Sequence, residues 1–225
     1  MDTSSKKIKT AVLSGLGVEL DQDALGRLAA FHDLVLEWNR KVNLVSRRDV
    51  DNLIERHIVD SLAPLTFWDK LGLPPAPEVM DLGSGGGFPG VPLKICLPEL
   101  RLTCVEATQK KARFIETAAG ELGLAYVTVA ARHSEEVKRE PAFICRYDLV
   151  VCRAVAELKQ LVEAAFPFLK TGGLLLAYKG QRADEEIKKA AMVMKKQKAG
   201  IKGIYSYGTT GEARKIVCLE KPENG

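Results

Sequence analysis

Asp81-Leu82-Gly83-Ser84-Gly85-Gly86-Gly87-Phe88-Pro89-Gly90 is the stretch that decides how this chain is read. It follows Glu78-Val79-Met80-Asp81-Leu82, a short apolar run that reads as a strand. It opens Val91 to Leu97, which reads as a helix with Pro92 in its first turn. Glycines admit positive φ and let a ligand approach the backbone with no Cβ in the way. Gly85-x-Gly87-x-x-Gly90 also satisfies the dinucleotide fingerprint. Glu106 ends the next predicted strand, where an acidic group grips ribose hydroxyls. A glycine strip by itself is a turn. Strand, loop, helix and distal acid together point to a nucleoside-containing ligand.

The residue before the loop narrows the ligand. A pyrophosphate wants a helix N-terminus and no neighbouring anion, yet Asp81 immediately precedes the glycines. A carboxylate there suits a ligand carrying cations, such as the ammonium and sulfonium of S-adenosylmethionine. A P-loop is excluded because no Gly-Lys-Ser/Thr follows.

Outward from the loop, short apolar strands alternate with helices. Leu102 to Glu106 reads as a second strand, and Thr108 caps a helix through Leu122 that Gly123 ends. Ala125 to Ala130 and Asp148 to Cys152 are the third and fourth strands, followed by a helix from about Ala156 to Leu169. Thr171-Gly172-Gly173 is expected to turn the chain into a fifth strand, Leu174 to Tyr178. This alternation means a parallel sheet with helices on both faces. A basic helix from about Asp184 to Lys198 comes next. Ile201 to Tyr207 and Arg214 to Glu220, joined around Gly208-Thr-Thr-Gly211, leave no room for a crossover helix and so form an antiparallel hairpin. The total is seven strands. The hairpin departs from the six-parallel-strand dinucleotide arrangement and further disfavours a nicotinamide oxidoreductase.

Before the loop the pattern is helical. Asp21 or Asp23 caps a helix with Leu25, Leu28, Ala29, Phe31, Leu34, Val35 and Trp38 at spacings of three and four. Asp49 or Asp51 caps another, with Leu53, Ile54, Ile58, Leu62 and Leu65 on one side. Leu73-Pro74-Pro75-Ala76-Pro77 stops helices and marks a boundary. The expected organisation is a helical cap over residues 1–71 and a Rossmann-like core over 72–225, forming one compact unit.

The 225 residues are 46% hydrophobic, 28% charged and 6% aromatic, which excludes disorder, collagen and coiled coil as descriptions of the whole. No apolar run approaches the ~20 residues of a membrane span. Lys6, Lys7 and Lys9 precede a brief apolar run, but Ser14, Gly15 and Gly17 break it, so the chain reads as cytoplasmic. The five cysteines form no Cys-x-x-Cys pair, so neither a metal site nor a redox motif is expected, and Cys104, Cys152 and Cys218 read as buried thiols. The net charge of +4 lies in the last 45 residues, a modest basic patch compatible with a polyanion.

The loop, with Val91-Pro92-Leu93 after it, resembles the S-adenosylmethionine loop of the RsmG (GidB) family, bacterial 16S ribosomal RNA (guanine-N7)-methyltransferases. Trp38-Asn39-x-x-x-Asn43-Leu44 and Arg56-His57-x-x-Asp60-Ser61-Leu62 are similar to the family's N-terminal motifs. Arg132 with Ser134-Glu135-Glu136, Cys152-Arg153-Ala154 and Lys179-Gly180 match later ones in the same order, from about residue 38 to 180. His133 stands as one extra residue, which shifts the adenine-facing register by one position, and Glu140 to Arg146 is a longer, more basic loop than the pattern has.

The resemblance implies a class I S-adenosylmethionine-dependent methyltransferase acting on N7 of a guanine in the 530 loop of 16S rRNA. A monomer without metal is expected. Asp81, Gly83, Ser84, Gly85 and Phe88 would shape the methionine end of the cofactor site. Glu106 with Ala107 would take the ribose, and Ser134 and Glu135, or their neighbour His133, would border adenine. Arg153 would orient either the cofactor's carboxylate end or the guanine's phosphate or O6, with no general base. Arg56, His57 and Lys179 would reach RNA or close the site, and Lys188 and Lys195 would contact phosphates. Each has a structural reading too: Arg56 to Asp60 spans one helical turn and suits an internal ion pair with a packed imidazole, and Trp38 reads as core. The competing functions are a non-catalytic RNA-binding or ribosome-assembly factor on the same fold, and a methyltransferase for another RNA or a small molecule.

Overall fold

The computed structural model describes residues 2–153, 156–208 and 213–222. Its sheet grows outward from β1 (Glu78–Leu82). On one side lie β2 (Arg101–Val105) and then β3 (Val127–Ala130); on the other lie β4 (Tyr147–Arg153) and β5 (Leu169–Lys179). These five strands are parallel. Beyond β5 come β7 (Ala213–Glu220) and, at the edge, β6 (Gly200–Gly208), both in antiparallel pairing. The expected seven-stranded, mostly parallel sheet with a closing hairpin is therefore present. Ala154 and Thr209 to Gly211, expected above to link the hairpin, lie outside the described residues.

The chain runs from β1 to β2 and β3 in one direction and then returns to β4 on the opposite side of β1. The carboxyl ends of β1 and β4 thus form the topological switch point, the crevice where open α/β sheets bind ligands.

Side chains alternate between two cores, as the period of two along a strand demands. Val79, Leu149, Val151, Leu174, Leu176 and Cys218 face one way. Met80, Val150, Leu175 and Val217 face the other, under α6 (Leu158–Ala165) and α7 (Ala183–Lys196). The first face is covered by α1 (Thr3–Leu16), α2 (Gln22–Asn39), α3 (Gly90–Cys96) and α4 (Gln109–Glu121), and one apolar cluster joins Ile8 and Phe31 to the sheet residues. The buried thiols of Cys104, Cys152 and Cys218 belong to these cores. Among the described residues no helix is long and apolar enough to cross a membrane.

Several elements differ from the sequence reading for local reasons. Asp21 is the cap of α2, accepting from the Ala24 N–H at 2.7 Å, whereas Asp23 pairs with Arg27 one turn on. The N-terminal lysines belong to α1, whose Asp2 carboxylate caps the Ser5 N–H and whose buried Ile8 and Val12 are one turn apart. No side-chain cap opens the helix after Asp49; a 3₁₀ turn over Val50–Asn52 leads into a π-helical segment, Ile54–Val59. Gly172 and Gly173 do not turn the chain into β5 but form an irregularity within it. Gly172 has φ +75°, both glycines pair with Lys221, and a Cβ on Gly173 would stand 2.9 Å from the Lys170 carbonyl. A short helix α5 (Ser134–Val137) follows β3.

Candidate cofactor and acceptor site

Asp81 faces Cys104 on β2 and Val151 on β4, so β1 places it at the switch point. Its side chain is fully buried. Oδ2 accepts the Gly90 N–H at 2.8 Å, tying the strand to the start of α3. Oδ1 is buried with no hydrogen-bond partner. Burial pushes the Asp81 carboxyl up to about 7, against the lowering effect of the Gly90 hydrogen bond and the Arg153 charge. Removing a carboxylate from water disfavours its charged form unless a cation or enough donors compensate.

The loop between them is shaped by glycine at particular points. Gly85 has φ +55° and open space where a Cβ would stand. A Cβ at Gly90 would lie 2.7 Å from Asp81 Oδ2, so only glycine allows that close approach. The Ser84 hydroxyl turns back to the Asp81 carbonyl at 2.9 Å, and the Ser84 carbonyl accepts the Gly87 and Phe88 N–H groups. Its side chain therefore builds the turn instead of presenting a hydroxyl to a ligand. Glu106 receives the Gly85 N–H on Oε2 at 2.8 Å and the Thr108 N–H on Oε1 at 2.7 Å. Its carboxylate spans the loop and the end of β2, with half-buried Ala107 between. A carboxylate offers about four acceptor positions, so two backbone donors leave room for ribose hydroxyls.

Beyond β3, the Gln109 amide donates to the Ala131 carbonyl at 2.7 Å. His133 precedes α5 in extended conformation, and its carbonyl accepts the Glu136 and Val137 N–H groups. Ser134 is half-buried, whereas the His133 and Glu135 side chains are exposed, Glu135 facing Lys138 at 3.6 Å. Arg132 pairs with Glu140, which anchors the longer loop that follows.

Arg153, at the end of β4, is held from the cap. Nη1 donates to the Arg56 carbonyl at 3.1 Å and to Asp60 Oδ2 at 3.0 Å, and Nη2 donates to His57 Nδ1 at 2.8 Å. Three of five guanidinium hydrogens are engaged, leaving two for a ligand. The guanidinium also lies 5.1 Å from the Phe88 ring centroid, and the His57 ring packs at 5.2 Å from the same ring. Burial first, and the Arg153 charge second, lower the His57 pKa to about 4, so the imidazole is neutral at pH 7 and accepts on Nδ1. Asp60 is 1% exposed, and its other oxygen accepts from Tyr207 Oη at 2.8 Å and Arg214 Nη1 at 2.9 Å. One carboxylate thus joins the cap, β4 and the hairpin.

This overturns the ion pair expected within one turn between Arg56 and Asp60: Arg56 pairs with Asp49 at 3.0 Å, and Asp60 with Arg153 and Arg214. The packed imidazole is present. Lys179 is also placed differently from the expectation of an RNA-reaching group. It is 8% exposed, with Nζ 2.8 Å from Glu186 and donating to the Ala156 carbonyl at 2.6 Å, so it braces β5 against α6 and α7. Lys188 and Lys195 are exposed on α7, well removed in sequence from the strand ends. Trp38 packs edge-on against Phe114 as core. Asn39 Oδ1 accepts the Leu44 and Val45 N–H groups, which seats Leu44 against Gly86. Sequence reasoning missed Asp60, Tyr207 and Arg214 as partners of the site. The available signal was an acidic residue inside the apolar run Ile58-Val59-Asp60-Ser61-Leu62.

The unpartnered Asp81 oxygen, the open face of Gly85 and the carboxylate at the end of β2 fit a ligand with a cationic end and a ribose. The fold and this site define an S-adenosylmethionine-dependent methyltransferase of the Rossmann-like class. Solved structures with the same fold include a SAM-dependent methyltransferase from Aquifex aeolicus, with TM-score 0.57, 14% identity and coverage of 78% of this chain and 95% of that one. Another is M. jannaschii TYW2 in complex with AdoMet, with TM-score 0.55, 14% identity and coverage of 70% and 74%.

Residues 24–217 match the model of the GidB family, rRNA small subunit methyltransferase G, and the chain belongs to that family. Relatives named ribosomal RNA small subunit methyltransferase G include that of Desulfitobacterium hafniense, 39% identical over 92% of this chain and 84% of the relative. That of Sorangium cellulosum is 39% identical over 93% and 84%, and that of Dehalococcoides mccartyi 34% over 94% and 89%.

Proposed function

We propose that this protein, acting as a cytoplasmic monomer, transfers the methyl group of S-adenosylmethionine to N7 of a guanine in the 530 loop of 16S ribosomal RNA. The observation that carries this reading is the meeting of Asp81, the glycine loop and Arg153 at the switch point of a chain in the rRNA small subunit methyltransferase G family. Bound there, S-adenosylmethionine supplies an electrophilic methyl group on a sulfonium.

Asp81 Oδ1 takes the ammonium of the methionine end, and Glu106 takes the ribose hydroxyls. Gly83 and Gly85 let the backbone close on the ligand, while Phe88 forms a wall whose outer side carries Arg153 and His57. Ala107, Ser134, and Glu135 or His133 border adenine. Guanine N7 carries an in-plane lone pair and displays it as an acceptor, so no proton leaves before attack. The site accordingly needs no base, and His57, neutral and engaged by Arg153, is not one. Rate enhancement comes from holding N7 in line with the methyl group. Arg153 orients the acceptor with its remaining N–H groups, and Asp60 neutralises it, so a fixed cation is tolerated near a sulfonium. Arg56, Lys188 and Lys195 contact the RNA backbone.

The test is methyl transfer from labelled S-adenosylmethionine to small-subunit RNA and 30S particles from cells lacking this protein, followed by chemical cleavage at N7-methylguanine. One cut in the 530 loop is expected. Cofactor binding with no label on RNA would redirect the activity to another acceptor, and no cofactor binding would favour an assembly factor on this fold.

A further inference from the structure

We infer that the cleft beyond the ends of β4 and β5 seats the acceptor nucleotide, and that Arg182 anchors its phosphate. The inference rests on the RNA-methyltransferase reading and assigns that substrate its place.

The cleft has a volume of about 590 Å³ and opens between Arg153 at the end of β4, Tyr178 to Arg182 after β5, and Tyr207 and Arg214 of the hairpin. That lies within the roughly 300–1,000 Å³ of small-ligand sites. It is not the cofactor's nest, because none of residues 81–90 and not Glu106 lines it. Arg153 lines the cleft and its guanidinium lies 5.1 Å from the Phe88 ring of that nest, so a nucleotide in the cleft lies beside the methionine end of the cofactor site.

The charge in the cleft is unbalanced. Arg153, Lys179, Arg182 and Arg214 line it with only Asp60 and Glu186. Asp60 is taken by Arg153 and Arg214, and Glu186 by Lys179. Both tyrosine hydroxyls are engaged, Tyr178 on the Ser61 carbonyl and Tyr207 on Asp60. The Arg182 side chain is exposed and makes no hydrogen bond or ion pair among the described residues. The acids just after it do not neutralise it first: Asp184 is held by Lys215 and Glu186 by Lys179, leaving exposed Glu185. An unpaired guanidinium at the lip of a cationic cleft suits a phosphate, whose oxygens accept its planar fork of donors.

Arg182→Ala, Arg182→Lys and Arg182→Glu in the full chain test this by steady-state transfer to 30S particles at several salt concentrations, with cofactor affinity by calorimetry. Arg182→Ala is expected to raise KM for RNA by about tenfold, the equivalent of one charge-assisted hydrogen bond, and Arg182→Glu by more. The salt slope should fall by about one, with kcat and cofactor affinity unchanged and Arg182→Lys between wild type and Ala. An active wild type with variants of unaltered RNA KM and salt slope overturns the seat. Weakened cofactor binding in the variants overturns it as well, and gives the cleft to the cofactor. A wild type that binds cofactor but methylates no RNA removes the reading on which the seat rests, a failure distinct from the first two.

Discussion

Arg153 and Asp60, 93 residues apart in sequence, are joined by a 3.0 Å ion pair in which the carboxylate is 1% exposed and the guanidinium side chain 12% exposed. Asp60 belongs to the helical cap and Arg153 to the end of β4, so the pair sets where the arginine points. Breaking a buried pair by removing one partner costs about 3–5 kcal/mol, because a charge is left uncompensated. Asp60→Ala is expected to lose roughly that much in urea unfolding. Asp60→Asn keeps one acceptor and is expected to fold, bind S-adenosylmethionine and lose at least tenfold in kcat. Arg153→Ala is expected to abolish transfer while remaining folded; a well-folded, active variant would sink its assignment.

If Asp81 holds the cofactor's ammonium as proposed, cofactor binding is expected to depend on pH. Its carboxyl titrates at about 7 in the free protein, and only the ionised form attracts the ammonium. Affinity is therefore expected to fall as pH drops from 8 to 6. Asp81→Asn should bind more weakly and carry only the ligand's own titration, so the difference between the two isolates Asp81. Calorimetry at three pH values suffices, and parallel curves would contradict the role.

The His57 pKa is shifted in the opposite direction to that of Asp81, yet its effect is also lost on acidification. Its folded pKa, about 4, is depressed below the ordinary 6.5, so protonation favours the unfolded chain. The stability it contributes is complete above about 6.5 and is lost as pH falls toward 4. Unfolding of wild type and His57→Gln at pH 8, 6 and 4.5 is expected to show a wild-type advantage that shrinks on acidification. A difference independent of pH would show that the imidazole is not held neutral.

Gly90→Ala puts a methyl 2.7 Å from Asp81 Oδ2 and 2.9 Å from its Cβ. Neither neighbour is the free end of a flexible chain, so β1 and α3 must part. A loss of about 1–3 kcal/mol is expected, together with cofactor affinity. Gly85→Ala meets no atom within 4 Å but is strained at φ +55°. It should lose less stability and an equal or larger share of binding.

Removal of residues 1–71 is expected to unfold the protein, since Ile8, Leu28, Phe31 and Ile58 share one apolar cluster with Val79 and Cys104. Circular dichroism and denaturant titration of the truncated chain decide it. A cooperative unfolding transition with retained cofactor binding would establish the cap as a separable unit instead.

The sheet and its closing hairpin were legible in the sequence alone, as were the strand, glycine loop and helix that carry the proposed cofactor residues. These rest on short-range patterns: alternating apolar runs, a strand feeding glycines into a helix, and an acid at the next strand end. The strand-end positions of Asp81, Glu106 and Arg153 were legible because each follows a short apolar run. The β5 glycines were misread as a turn, since a local pattern does not reveal that Lys221 pairs across them. The partners of Arg153 were not legible for the same reason. Asp60, Tyr207 and Arg214 come from three distant segments, and only packing of the cap and the hairpin against β4 and β5 makes one buried carboxylate their shared acceptor. The same packing turned Lys179 inward to Glu186 and left Arg182 facing solvent at the cleft, a distinction that two basic residues three positions apart do not carry in their spacing. Burial and charge pairing are properties of the assembled chain, and they decided which of its cations are available to a substrate.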